Sequence, residues 1–377
     1  MMWQNIFRIA KLQFQNLGGV YMSEKFVSRE QVELLHRRIK FAEQTDASKE
    51  LYADLLFRKK DHILVVGAGG SYPAAIFAKY ALSGQFYCTT DVATPQTAIN
   101  MIHHNSYDVI IGISYSGKTP DIKATAITAL YEGSHFVLIT GAQKEVVSDF
   151  YDNDKRITII SYYDPLEGTG KERGMISMAS TLIPCIVFDD WGERKLIHEN
   201  QMALFSAQNF VGNLNISKIA NCIKKSPIIH VFYEWDTHAT AADIESKFTE
   251  SGVAHVILHE KKNFSHGRYT SLYKQDFALA INLTRYSVGS SSEHKFYRND
   301  YDKVLAEFLE NLCNTKDSFY LEFGSACVGP AQWNIEALTK LPYLITSIGE
   351  ELGIDISKPL KPFPGEATKL YDYKGKF

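Results

Sequence analysis

Apolar runs of strand length alternate with helical stretches along this chain, and the alternation occurs twice. The first series opens with HILVVGAGG and continues through QFYCTTDV, YDVIIGIS, HFVLITG and RITIISYY, each separated from the next by a helix or a short loop. A long apolar helix from about Gly174 to Phe188 closes it, and DDWGERKLIHEN reads as a bridge. The second series restarts at SPIIHVFYEW and runs through a helix HATAADIESKFTESG and the strands AHVILHE and DFALAINL. It ends with a helix near residues 301–313 and a last helix around NIEALTKLPYLITSIGEELG. Strands buried on both faces read as continuous apolar runs, and the intervening helices supply the crossovers that parallel pairing requires. An α/β chain of two similar halves is therefore expected, each half a mainly parallel sheet flanked by helices. The expected boundaries are a helical lead-in over 1–50, a first domain over 51–192, a second over 193–352, and a tail over 353–377 whose prolines prevent regular structure.

With 377 residues, 45% of them hydrophobic, the chain has enough apolar material for two domains of ordinary size. A net charge of −3, with acids and bases spread throughout, provides no electrostatic footprint for nucleic acid or an anionic membrane. Small molecules are the expected partners. Cys88, Cys185, Cys222, Cys313 and Cys327 show no paired spacing, and four of them lie in apolar segments, as reduced core thiols do. A cytoplasmic protein without structural disulfides is expected, and no apolar run approaches the eighteen or so residues of a membrane span. Gly18-Gly19 is encodable as GGA-GGU, a bacterial ribosome-binding sequence, shortly before Met22. A native start at Met22 with residues 1–21 a translated leader is one expectation, and an ordinary helical arm is the other.

Two loops carry the functional signal. The stretch GISYSGKT, Gly112 to Thr119, fits the phosphate-loop pattern of nucleotide hydrolases and lies between a strand and a helix. Pro120 follows at once, however, and proline is best placed at the first helical position. Thr119 then becomes the N-cap and the helix starts after Lys118. No neighbouring strand ends in a convincing metal-binding aspartate. What remains is Ser114, Ser116 and Thr119 around Gly117, hydroxyls suited to a phosphate monoester without metal. The other loop, VVGAGGSYPAA, has Gly67, Gly69 and Gly70, but Tyr72 stands where a dinucleotide fingerprint needs its third glycine. Ser71 at the helix start offers a hydroxyl to an anion or sugar oxygen, and a glycine turn needed for backbone reasons alone is the alternative.

With GAGGSYP, SYSGKT and KERGMISMAST together, the chain resembles the sugar isomerase, or SIS, domain family over nearly all of residues 50–350. The second half resembles the isomerase half of glucosamine-6-phosphate synthase: Lys247 and Glu250 are three apart, His266-Gly267 begins sixteen residues after the glutamate, and Asp236 matches an upstream aspartate. The resemblance implies two tandem SIS domains, flavodoxin-like three-layer sandwiches. It also implies a hexose or hexosamine 6-phosphate ligand, no cofactor, no metal, and a homodimer with shared sites. The implied substrate-binding residues are Gly69, Gly70, Ser71, Ser114, Tyr115, Ser116, Thr119 and Ser177. The implied catalytic residues are Glu250, His266, Lys247 and a tail lysine, for which Lys369 is the best candidate. Tyr115 and Gly70 depart from the family's usual glutamine and threonine, so the contacts near the phosphate must differ. No counterpart of the synthase's amide-hydrolysing domain is expected.

Moving a carbonyl between the first two carbons of a sugar phosphate needs a ring-opening acid/base, a carbon base and a stabiliser of the enolate oxygen. The resemblance casts His266, Glu250 and Lys247 in those roles. Without it, Lys247 and Glu250 read as a solvated helix pair and His266 as a turn residue. His255 and His259 lie in a strand-like segment where metal binding is a poor expectation, and His103-His104 reads as a solvated loop pair. Three functions follow: an aldose-ketose isomerase, deaminating isomerase or deglycase; a non-catalytic phosphosugar sensor; and, remotely, a nucleotide hydrolase.

Overall fold

The computed structural model describes residues 26–163, 180–189, 207–285, 300–325 and 329–357. Three helices lead in: α1 (Val27–Glu33), α2 (Leu35–Gln44) and α3 (Ala47–Leu56). The first half follows as β1 (His62–Val66), α4 (Ser71–Phe86), β2 (Thr89–Ala93), α5 (Pro95–His104), β3 (Val109–Ile113), α6 (Pro120–Tyr131), β4 (His135–Thr140), α7 (Lys144–Phe150), β5 (Ile157–Ser161) and α8 (Leu182–Asp189). The second half comprises α9 (Ile216–Lys225), β6 (Ile228–Tyr233), α10 (His238–Glu250), β7 (His255–Glu260), α11 (Tyr269–Lys274), β8 (Leu279–Arg285), α12 (Asp300–Lys316), β9 (Phe319–Ser325) and α13 (Pro330–Leu352).

Both sheets are parallel, in the orders β2-β1-β3-β4-β5 and β7-β6-β8-β9. Alternate residues of β1 and β3 enter different cores. Ile63, Val65, Val109 and Ile111 pack with α4, whereas Leu64, Val66 and Ile110 pack with α5 and α6. The helices after β1 and β3 thus lie on opposite faces of the sheet. The chain parts where those two strands end, which opens a crevice at their C-terminal edge. Val66 is paired with Gly112, so both glycine-bearing loops leave from this edge.

The expected α/β halves are present, with three differences in detail. A fourth strand, β9, completes the second sheet. It lies at an edge and interleaves Tyr320 and Glu322 with buried Leu321 and Phe323, so it lacks the continuous apolar run of the inner strands. His103 and His104 end helix α5 rather than occupying a loop, and His103 Nδ1 lies 2.9 Å from Glu132 Oε1. The helix expected from Gly174 is described from Leu182, and residues 174–179 lie outside the described residues, as do the bridge after Asp189 and residues 358–377 of the tail.

The halves share one core. Ala239 and Ala242 of α10, and Ile335 and Leu338 of α13, are buried with α4 and the lead-in helices. Tyr80 on α4 donates to the carbonyl of Trp235, and the two rings meet edge to face at 5.6 Å. Arg29 Nε donates to Glu350 Oε1 at 2.8 Å, and the Val27 N–H to the Asp355 carboxylate at 3.0 Å, so the start of α1 is held by the end of α13 and the segment just after it. Cys88, Cys185, Cys222 and Cys313 are buried free thiols, and no helix among the described residues is long and apolar enough to cross a membrane.

A histidine pair sits inside the second half. His230 Nδ1 and His259 Nε2 are 2.8 Å apart, beneath Phe232, Phe264 and Phe277. Burial comes first among the causes that lower both pKa values to about 4; the partner ring adds for His230, and Arg268 for His259. Both rings are therefore neutral at pH 7 in the folded state. Between pH 6.5 and 4 the unfolded chain binds protons that the folded chain refuses, so stability is lost as pH falls through this window. The loss is expected to be on the order of a few kcal/mol. Thermal melts from pH 7.5 to 4.5 check this: Tm should fall more steeply in the native protein than in a His230→Phe/His259→Leu variant. Equal slopes would clear the pair of any role.

Candidate active site

The crevice is walled by two loops of the first half. In SYSGKT the chain leaves β3, the Ser114 N–H donates to Ile139 O at 3.1 Å, and the Gly117 N–H returns to Ser114 O at 3.1 Å. Ser114 Oγ and Thr119 Oγ1 are 2.9 Å apart, and Ser116 Oγ accepts from the Lys118 N–H at 3.3 Å. Helix α6 begins at Pro120 with Thr119 as extended N-cap, as the proline position predicts. The Thr119 hydroxyl faces Ser114 rather than capping the helix, so two hydroxyls meet beside the positive end of a 12-residue helix. Lys118 is exposed and lies before the helix start.

Gly117 makes this loop possible. Its φ is +66°, and a Cβ there would lie 2.7 Å from Val147 Cγ2 and 2.8 Å from Thr140 Oγ1. Tyr115 turns its half-buried ring onto Gly141, where an added Cβ would come within 2.7 Å of it, and its carbonyl accepts from the Gly141 N–H at 3.1 Å. The Tyr115 ring is thus part of the wall beneath the loop.

The second wall is GAGGS. Gly69 is exposed, Gly70 half-buried, and Ser71 buried at the first position of α4. Thr181 Oγ1 donates to Gly70 O at 2.6 Å, and a Cβ on Gly70 would lie 2.7 Å from Ser180 Oγ. Ser180 and Thr181, at the end of KERGMISMAST, are therefore the residues of that stretch that meet the loop. Sequence reasoning selected Ser177 from it, which lies outside the described residues, as does Lys369. The hydroxyl pair directly before an apolar helix was the available signal, since such residues favour helix starts.

The second half supplies an acid. Glu250 is the last residue of α10, which packs on α4, and its Oε1 lies 3.7 Å from the position a Cβ on Gly69 would take. Ser246 Oγ donates to the same Oε1 at 2.7 Å. A carboxylate at the negative end of a helix is locally unfavourable, so helix formation does not explain its placement. Lys247, one turn back, is buried and its ammonium is paired with buried Asp243. The Cys185 thiol beside this pair is pushed well above its usual range, by burial first and then by Asp243. The structure thus brings Glu250 to the glycine loop and directs the Lys247 ammonium to Asp243.

His266 is exposed, on a kinked turn after β7 with Gly267 at φ +96°. The turn is anchored by buried Phe264 and by the buried Lys261–Asp302 ion pair at 2.9 Å, which leaves Ser265 to Thr270 exposed. At the second sheet's own switch point, between β6 and β8, Arg285 Nη1 lies 2.5 Å from Oδ2 of fully buried Asp236. An ion pair spans that crevice, where the first has hydroxyls. Among the described residues no group of three or more histidine, cysteine or acidic side chains could hold a metal ion.

Comparison with known proteins bears on the first half in particular. Residues 56–161 match the SIS domain model. That SIS match contains both loops and all five strands of the first sheet. No curated protein matches the chain. Solved structures align along almost the whole length. A provisionally assigned phosphosugar isomerase from Silicibacter pomeroyi has a TM-score of 0.65 at 14% identity, covering 88% of this chain and 100% of that one. The C-terminal domain of glucosamine-fructose-6-phosphate aminotransferase from Francisella tularensis has a TM-score of 0.64 at 13% identity, covering 91% and 100%. Glucosamine-6-phosphate deaminase from Thermotoga maritima has a TM-score of 0.60 at 13% identity, covering 87% and 97%. Identities this low carry the fold of both halves and no more.

The loop geometry makes a direct prediction. Gly133 also has positive φ, +83°, but an added Cβ would meet nothing within 4 Å. Gly133→Ala should therefore cost only the left-handed backbone penalty, about 1–2 kcal/mol. Gly117→Ala should cost about 1–3 kcal/mol more, because Val147 and Thr140 have to move. Urea unfolding of both variants measures the difference, and equal destabilisation would mean that the loop is not packed this way.

Proposed function

We propose that the protein binds a sugar 6-phosphate and catalyses a proton shift next to its carbonyl or imine, as an aldose-ketose isomerase, deaminating isomerase or deglycase without a metal. The observation that carries this reading is the approach of Glu250 from one half to Gly69 in the other, beside a hydroxyl loop at a parallel-sheet switch point. The SIS match and the names of the structural neighbours support a phosphosugar ligand. Ser114, Ser116 and Thr119, with the start of α6, would hold the phosphate, and Gly69, Gly70 and Ser71 the sugar. In the open-chain sugar, Glu250 takes the proton from C2 as the C2–H electrons form the enolate. Return of that proton to C1, with protonation of the O1 side and release of the O2 proton, yields the ketose.

His266 would open the ring. Because it is exposed on a turn that leaves the second sheet, we assign it to the neighbouring subunit's site in a homodimer. Lys247 would stabilise the enolate after leaving Asp243, and Lys369 would be the tail lysine. Free buried thiols fit a reducing, cytoplasmic setting. A non-catalytic phosphosugar sensor is the second reading, and the Lys247–Asp243 pair favours it.

One set of measurements separates these readings. Glucosamine 6-phosphate or fructose 6-phosphate should raise Tm without metal in the native protein, and ATP with magnesium should not. Glu250→Gln and His266→Ala should each keep that shift and lose turnover by orders of magnitude. When the two variants are unfolded together and reassembled, a mixed dimer contains one site with both lesions and one intact site, so about half of a normal dimer's activity returns. Binding without turnover in the native protein would establish the sensor. A demonstrably mixed but inactive dimer would remove the shared site, and stabilisation by ATP–magnesium that vanishes in Lys118→Ala would restore the nucleotide reading.

A further inference from the structure

A glutamate side chain has three rotatable bonds, and a carbon base must present one oxygen to one C–H bond. Something has to stop the carboxylate from sampling its other rotamers, or the reacting geometry is rare. Glu250 has little help from its helix: it is the terminal residue of α10, half-buried, at the end where the helix dipole disfavours a negative charge. Lys247 does not hold it, because that ammonium is paired with Asp243 on the buried side of the helix. The Ser246 hydroxyl does reach it. Four residues back on the same face of α10, Ser246 Oγ donates to Glu250 Oε1 at 2.7 Å. That oxygen is the one 3.7 Å from the Cβ position above Gly69.

The geometry points to Ser246 as the residue that positions the Glu250 carboxylate over Gly69 for proton transfer, an inference that rests on Glu250 being the carbon base. A serine–glutamate bond four apart on an exposed helix is ordinarily a surface detail of little weight. This one is distinguished by where the shared oxygen lies, at the contact between the two halves and against a loop of the candidate site. Accepting from the hydroxyl uses one lone pair of Oε1, so the carboxylate can still take up a proton with that bond in place. Protonated or not, Glu250 keeps an oxygen that accepts from Ser246, so the hydroxyl holds the side chain through both halves of the shuttle. Serine suits the position because its short side chain reaches a carboxylate one turn ahead without occupying the crevice.

The test uses the full chain with glucosamine 6-phosphate and fructose 6-phosphate as probes, and compares Ser246→Ala, Ser246→Thr and Glu250→Gln. Deuterium wash-in from solvent at the carbon beside the carbonyl and steady-state turnover are followed together. Ser246→Ala should lower kcat and the wash-in rate about tenfold, the scale of one hydrogen bond to a charged group, with KM within about twofold. Ser246→Thr, which keeps the hydroxyl, should recover to within about threefold of the native rate. A structural role alone would leave this split and this rescue absent. If Glu250→Gln abolishes wash-in while Ser246→Ala turns over at the native rate, the positioning role is wrong and the base stands. If wash-in persists in Glu250→Gln, or the native protein exchanges neither probe, the base itself is wrong and the role of Ser246 falls with it.

Discussion

The packing of α10 on α4 is the contact on which the candidate site depends. α4 follows the first glycine loop and α10 follows the first strand of the second sheet, so their contact joins the two halves. Ala239 and Ala242 permit a close approach, and Tyr80 fastens the far end to the backbone of Trp235. Gly252, at φ +68°, ends α10 just after Glu250. One residue more or less would rotate its last side chain by about 100° and carry Glu250 away from Gly69. Placement of Glu250 and association of the halves are here one packing problem, so a change at the alanines should act on both.

The two switch points show how one topology is used in two ways. A parallel sheet whose first strand lies inside it sends the following helices to opposite faces and leaves a crevice. In the first half the crevice has short hydroxyl side chains, a left-handed glycine and a helix start. In the second, Arg285 and buried Asp236 span the gap, and Asn334 ties the Asp236 carbonyl to α13 at 2.7 Å. An arginine already matched by a buried carboxylate binds its own partner before any external anion. Among the described residues, the ion pair ties the end of β8 to the segment after β6.

Much of the architecture was legible because inner parallel strands are apolar on both faces. β1, β3 and β4 announce themselves, as does the helix start fixed by Pro120. The edge strand β9 was missed for the same reason, since its half-exposed face breaks the run. The hydroxyl loop and the Lys247–Glu250–His266 spacing were readable from local order and family resemblance. Contacts between distant segments were not. Nothing in the order of residues says that Glu250 reaches Gly69, that Thr181 bonds Gly70, or that His230 lies beside His259, because these follow from side-by-side packing of segments far apart in the chain. Lys247 illustrates the limit: its spacing from Glu250 was evident, but its burial against Asp243 required the packed helix.

The central claim is that a sugar phosphate lies across the first crevice with its phosphate on the hydroxyl loop and its reacting carbon at residue 250. A crystal structure of Glu250→Gln with glucosamine 6-phosphate bound tests it most directly. The account predicts phosphate oxygens within hydrogen-bonding distance of the Ser114, Ser116 or Thr119 hydroxyls, and C2 of the sugar facing the Gln side chain at position 250 above Gly69. A phosphate bound beside Arg285 at the second crevice, or a sugar whose second carbon points away from residue 250, would contradict it.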